Sequence, residues 1–245
     1  MKKLPALILI WALLLTLASC GVDGGNTDSS QNRDNTAETQ GNSEDEAFPD
    51  GTVPLVDSDA NILIAYFSRV GNTDFPDGVD AITSASLLVK DGELYGNTQY
   101  IATLIQQQTD GELFLIQTEE RYPADYDETD RQGQQENRDR VRPALASHVE
   151  NIDAYDVIFL GFPNWYYDMP MAVYSFLEEY DLAGKTIVPF VTSGGSGFSN
   201  SIAEIQNIQP DAEVLTDGYK VSHSRVDDVT SEDIAEWING LEING

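Results

Sequence analysis

Four short runs of strand-forming apolar residues, separated by segments of helical period, restrict this chain to very few architectures. The runs are residues 61–67 (NILIAYF), 112–117 (ELFLIQ), 156–162 (DVIFLGF) and 186–191 (TIVPFV). An unbroken apolar run belongs to a strand covered on both faces, whereas a half-exposed strand alternates apolar and polar residues. Between the runs, Ile101, Leu104, Ile105 and Gln108 recur at the spacing of one helix face, as do Val173, Phe176, Leu177 and Tyr180. Ile234, Trp237, Ile238 and Leu241 form a third stripe behind Thr230-Ser231-Glu232-Asp233, which has the form of a capping box. Buried strands alternating with amphipathic helices predict an α/β fold: an open parallel sheet of about five strands with helices on both faces.

Two segments depart from the alternation. In 74–95, Asp91-Gly92 between strand-like flanks predicts a hairpin. Residues 121–149 are polar and predict a long exposed loop, then a helix near 130–146.

The first 60 residues do not belong to the sheet. Lys2 and Lys3 precede an apolar run of 14 residues, 4–17, that closes on Leu17-Ala18-Ser19-Cys20. The run is too short to span a bilayer, which takes about 20 residues, and has the layout of a signal peptide. Its end resembles the bacterial lipoprotein cleavage box, which implies a signal over 1–19 and lipidation of Cys20. Residues 20–60 carry ten acids and one base with few apolar side chains, and read as a disordered acidic tether. That leaves 61–245 as one domain, with 74–95 inserted, lipid-anchored outside the cytoplasm.

Composition excludes several function classes. With 13 Lys and Arg against 42 Asp and Glu, the net charge of -29 argues against a nucleic-acid partner. One cysteine and two distant histidines, His148 and His223, provide little for a metal site, and none is expected. Both histidines are expected on solvated surface, and Met169 and Met171 under the adjoining loop.

In an open parallel sheet, ligands bind at the carboxyl ends of the strands. After the first strand come Ser68, Arg69 and Val70, then Gly71-Asn72-Thr73. A second Gly-Asn-Thr, Gly96, Asn97 and Thr98, stands directly before the first helical stripe. Small and hydroxylated residues at a helix start let amides converge on an anion, and the absence of a following lysine excludes the nucleotide-triphosphatase loop. After the third strand, Pro163, Asn164, Trp165 and Tyr166 open an aromatic loop suited to walling a flat ring. After the fourth, Ser193, Gly194, Gly195, Ser196 and Gly197 allow close backbone approach. A hydrolase built on Ser196 is excluded, because Phe198 stands where the nucleophile elbow needs glycine.

With these stretches (ILIAYFSRVGNT, GNTQYIATLI, the 161–190 segment and TSGGSGF), the sequence resembles the flavodoxin-like superfamily and, more closely, the lipoprotein-type flavodoxins of bacteria. The resemblance implies FMN. It places phosphate on Ser68, Gly96, Asn97 and Thr98, with Arg69 and Val70 nearby, and the flavin ring between the 163–166 and 193–197 loops. Flavodoxins have one uninterrupted phosphate loop, whereas here Gly-Asn-Thr occurs twice. Only the second abuts a helix, so it is expected to hold the phosphate and the role of Asn72 and Thr73 is left open. The implied function is electron transfer or flavin-dependent reduction with a redox protein or small-molecule acceptor; the alternative is a flavin-free surface binding module.

Overall fold

The computed structural model describes residues 60–77 and 86–241. The expected signal 1–19, Cys20, the tether up to residue 59 and residues 78–85 of the insertion lie outside the described residues.

The chain runs β1 (Ile62–Tyr66), β2 (Leu87–Lys90), β3 (Glu93–Gly96), α1 (Asn97–Thr109), β4 (Glu112–Leu115), α2 (Tyr126–Asp139), β5 (Val157–Pro163), α3 (Met171–Glu179), β6 (Thr186–Ser193), α4 (Ser201–Ile208), β7 (Glu213–Val214), β8 (Tyr219–Ser222) and α5 (Ser231–Asn239). The main sheet has the order β4-β1-β5-β6, all parallel, and its next position is shared by two pieces. β7 pairs with the start of β6 and β8 with its end, both parallel. This is the expected five-position sheet. β8 escapes the pattern of buried runs because it is an edge strand, with Lys220 exposed and Val221 buried.

Side-chain alternation along β1 builds two cores. Leu63, Ala65 and Phe67 face one, completed by Val173, Phe176 and Leu177 of α3 and Ile205 of α4. Ile62, Ile64 and Tyr66 face the other, completed by Ile101 and Ile105 of α1 and Ile234 and Ile238 of α5. Full burial of each such side chain stabilises the fold by about 1.5–3 kcal/mol. The α5 stripe is positioned by the expected capping box: Thr230 Oγ1 accepts from the Asp233 amide at 3.2 Å, and Asp233 Oδ2 accepts from the Thr230 amide at 2.8 Å.

The hairpin of β2 and β3 turns on Asp91 and Gly92, both at positive φ, in the two-residue geometry that Asp-Gly favours. The expected helix over 130–146 is displaced. It starts four residues earlier, where Asp125 accepts from the Glu128 amide at 2.9 Å, and stops at Arg140 in the left-handed region. Pro143 disfavours helix at residue 142, so a helix through 146 was not available to this sequence. Gly161 in β5 is opposite Phe190, and a Cβ there would lie 2.0 Å from Phe190 Cζ. Only glycine leaves room for that ring. Met169 and Met171 are buried as expected.

Candidate functional site

The loops after β1, β5, β6 and β8 and the start of α1 meet at the carboxyl edge of the sheet. Gly96 ends β3 and caps α1, and its N–H donates to Gln99 Oε1 at 3.1 Å. Because Gly96 lacks a Cβ, Ser68 can pack onto the helix start: a Cβ at Gly96 would lie 1.8 Å from Ser68 Oγ. The Asn97 amide donates to the Ser86 carbonyl at 3.0 Å, and the Thr98 and Thr192 hydroxyls are 2.9 Å apart. The first-turn amides of a helix have no carbonyl partner within it, so this is a site of positive potential. Ser68 Oγ, in a residue only 2% exposed, has no hydrogen-bond partner among the described residues. An unsatisfied buried polar group costs about 1–3 kcal/mol, which a ligand oxygen here would recover.

The first Gly-Asn-Thr has a different role. Asn72 Nδ2 donates to the Ser68 and Ile116 carbonyls at 2.9 and 3.0 Å, and its Oδ1 accepts from the Thr118 amide and hydroxyl at 2.8 and 3.1 Å. With donor and acceptor both engaged, Asn72 ties the β1 loop to the end of β4. Gly71 holds φ at +94°, and Thr73 Oγ1 is buried without a partner among the described residues. The insertion therefore follows a structural loop and ends at the start of α1.

A cavity of about 230 Å³ opens beside the cradle. Its walls are Arg69 and Ser86, then Tyr126, Thr129 and Asp130 of α2, residues 163–166 after β5, residues 192–194 at the end of β6, and His223 after β8. Arg69 Nη2 donates to the Pro123 and Ala124 carbonyls at 3.0 and 3.1 Å and to Thr129 Oγ1 at 3.3 Å, while its Nε has no partner among the described residues. Burial lowers the pKa of this guanidinium, and its neighbours Tyr126 and Asp125 oppose the shift.

The aromatic loop is bent and tightly held. Trp165 and Asp168 exchange backbone hydrogen bonds of 2.9 and 3.1 Å around Tyr166 and Tyr167, at φ of 57° and 64°. Two adjacent non-glycine residues in the left-handed region carry about 1–3 kcal/mol of strain each. Trp165 meets Phe67 and Tyr122 edge-on, both centroids 5.5 Å away. The Tyr166 hydroxyl donates to Asp130 Oδ1 at 2.7 Å, and burial with that bond raises its pKa. Gly133 lets α2 lie over the loop, since a Cβ there would be 3.2 Å from the rings of both Trp165 and Tyr166. Asn164 joins this loop to the next, donating to the Gly197 carbonyl at 2.8 Å. Ser193 Oγ accepts from the Gly195 and Gly197 amides at 3.2 and 3.1 Å, which curls the glycine loop. A Cβ at Gly194 or Gly195 would meet nothing within 4 Å, so the backbone there is open to a ligand.

Of the residues singled out from sequence, Arg69, Pro163, Asn164, Trp165, Tyr166, Ser193 and Gly194 line the cavity. Ser68, Gly96, Asn97 and Thr98 form the adjoining cradle. Val70 bridges to Thr73 and, like Gly195, Ser196 and Gly197, stands outside the cavity lining. His148 is exposed and pairs with Glu179 at 2.7 Å. His223 is exposed as expected, but the surface it occupies is the cavity rim, to which the edge strand β8 delivers it. The α2 residues were not foreseen. Their buried stripe is Thr129, Gly133 and Glu136, polar or small at every position, and hydrophobic periodicity cannot reveal it.

The family model for flavodoxin matches residues 86–241, well over half of the chain. The chain belongs to the flavodoxin family. Among solved structures, it is similar to a candidate flavoprotein from Bacteroides eggerthii, with 28% identity, 74% of this chain and 96% of that one covered, and a TM-score of 0.55. A second, from Bacteroides uniformis, has 29% identity, covers 73% and 97%, and has a TM-score of 0.56. No curated protein matches significantly. For a flavodoxin, the cradle at the start of α1 and the cavity between the aromatic and glycine loops lie where the strand topology puts a ligand.

Proposed function

We propose that this flavodoxin binds FMN, with the phosphate at the start of α1 and the ring in the adjoining cavity, and that it carries electrons or reduces a small acceptor. The observation that carries this is the Ser68 hydroxyl: buried, unpartnered and pressed against Gly96 at a helix N-terminus. Ser68, Thr98 and the first-turn amides would hold a monophosphate without lysine. Trp165 and Tyr166 would wall the ring, and the open backbone at Gly194 would meet its polar edge. The related Bacteroides structures described as candidate flavoproteins support a flavin. FMN rather than FAD suits a cradle built for one terminal phosphate, and among the described residues no second loop beside the cavity reads as an adenylate pocket.

When bound, the flavin supplies the redox chemistry, and the protein supplies orientation and electrostatics. Residues 61–245 carry 32 acids and 10 bases, a field that opposes added negative charge on the ring and attracts basic partners. Reconstitution of the full chain, followed by mass spectrometry of the released flavin, tests the reading. Recovery of FMN supports it; recovery of FAD, or no flavin after saturation with FMN, refutes it.

The same proposal includes the anchor: a lipid on Cys20 holds the domain outside the cytoplasm, through the acidic segment 20–60. It rests on Leu17-Ala18-Ser19-Cys20 at the end of the short apolar run, which resembles the bacterial lipoprotein cleavage box. Cys20→Ala should move the protein from the membrane to the soluble fraction in a bacterium that processes lipoproteins. Unchanged fractionation contradicts the anchor and leaves the flavin reading intact.

A further inference from the structure

The cavity has a cationic candidate at its cradle end that the flavin reading does not use. Among the described residues, Arg69 is the one lysine or arginine lining the cavity, and its Nη2 is committed to two carbonyls and a hydroxyl. His223 lines the same cavity and is exposed, and its imidazole makes no hydrogen bond or ion pair with the described residues. Two relationships bring its segment towards the cradle, and a third ties the cavity that it lines to the cradle. Ser222 is paired with Ser193, so His223 leaves the sheet edge beside the end of β6. The short 3-10 segment that it begins, His223–Asp228, packs against α1 and β2. Finally, two other walls of the cavity are bonded to the cradle itself: Ser86 through the Asn97 amide, and Thr192 through the Thr98 hydroxyl.

We propose that His223 is the cationic contact to the ligand's phosphate, making FMN affinity depend on pH through this imidazole. The inference rests on the FMN reading and adds a residue to it. Imidazoles change charge between about pH 5 and 8, and the imidazolium form attracts a phosphate dianion. Binding phosphate favours the protonated form, so the contribution is present at low pH and lost as pH rises through the imidazole titration.

The surrounding charges do not replace it. On its own segment Arg225 pairs with Asp228 at 2.7 Å, and Asp227 pairs with Lys90 of β2 at 3.1 Å. Lys90 also lies 4.9 Å over the Tyr100 ring of α1. Lys220 on β8 lies alongside Gly197 and is not a wall of the cavity, and the titratable groups across the cavity are Arg69, Tyr126, Asp130 and Tyr166.

The test measures the affinity of the full chain for FMN and for riboflavin across about pH 5.5 to 8.5, in the wild type, His223→Gln and His223→Lys. Comparing proteins at the same pH removes the part of the pH dependence that the phosphate's second ionisation gives to wild type and variant alike. Near the acid end the wild type should bind FMN about 10-fold more tightly than His223→Gln, with the ratio approaching one at the alkaline end. Riboflavin, which lacks the phosphate, should show a ratio of one throughout. His223→Lys should keep tight FMN binding and lose the pH-dependent advantage. A ratio for FMN that does not vary with pH, or an equal loss for riboflavin, overturns the assignment while leaving FMN as the ligand. If the wild type binds neither flavin, the FMN reading fails and this inference fails with it.

Discussion

The Thr98 and Thr192 hydroxyls lie 2.9 Å apart, joining the first turn of α1 to the end of β6. This bond brings the proposed phosphate cradle and the proposed ring cavity together, although their residues are 94 positions apart in the chain. Thr98→Ala should weaken FMN by roughly 10- to 150-fold, the equivalent of about 1.5–3 kcal/mol for one bond to a charged acceptor. Riboflavin affinity should change little. Thr73→Ala, in the first Gly-Asn-Thr, should lose much less FMN affinity. Titration of both ligands checks the comparison, and a larger FMN-selective loss from Thr73→Ala would move the phosphate away from α1.

Ser68→Ala should act in opposite directions on stability and binding. Without ligand, it removes a buried unpartnered hydroxyl and should stabilise the protein by about 1 kcal/mol. With FMN it removes a phosphate donor and should weaken binding by about 10-fold. Denaturant titration and flavin titration on the same preparation read the two effects. A destabilised ligand-free protein would show that the hydroxyl has a structural role instead.

The turn at Tyr166 and Tyr167 gives a prediction about backbone strain. Tyr167 is 68% exposed at φ 64°, so little packing offsets its left-handed conformation. Tyr167→Val should destabilise the protein by about 1–2 kcal/mol, because a branched Cβ is poorly accommodated there. Tyr167→Gly should be near neutral or stabilising, relief of strain opposing about 0.5–1 kcal/mol of added chain entropy. Thermal or denaturant unfolding that ranks valine above glycine would contradict the strained turn.

Alkaline pH should expose the tyrosines as linked groups. Burial, with the Glu112 bond, pushes Tyr155 up to about 12. Burial likewise pushes Tyr180 up to about 12, and raises Tyr122, Tyr166 and Tyr174 further. Since each folded value lies above that of the unfolded chain, near 10, the stabilisation is complete below about pH 10. It declines as pH rises through the folded values. Phenolate absorbance should therefore lag behind that of the urea-unfolded chain and rise together with loss of helical circular dichroism. Titration of all the tyrosines near pH 10 in a folded chain would count against these environments.

The sequence by itself determined the layers and most of the ligand edge. Short unbroken apolar runs of strand-forming residues such as 62–66 read as strands covered on both faces, and the stripes of α1, α3 and α5 supply the covers. Because ligand loops follow strand ends, Trp165, Tyr166 and Gly194 were legible from the order of residues alone, and Arg69 from the family resemblance. Tertiary structure alone decided the rest. Asn72 and Asn97 stand in identical tripeptides, yet Asn72 bonds across 46 residues to Thr118 while Asn97 opens α1. The helical stripe that follows marks Asn97 in the sequence, but no local feature shows that Asn72 reaches Thr118. The packing of α2 over the aromatic loop depends on Gly133 and a buried stripe without an apolar residue, so no hydrophobic period marks it. His223 reaches the cavity because β8 pairs beside the end of β6, a long-range register that the spacing of residues along the chain does not encode.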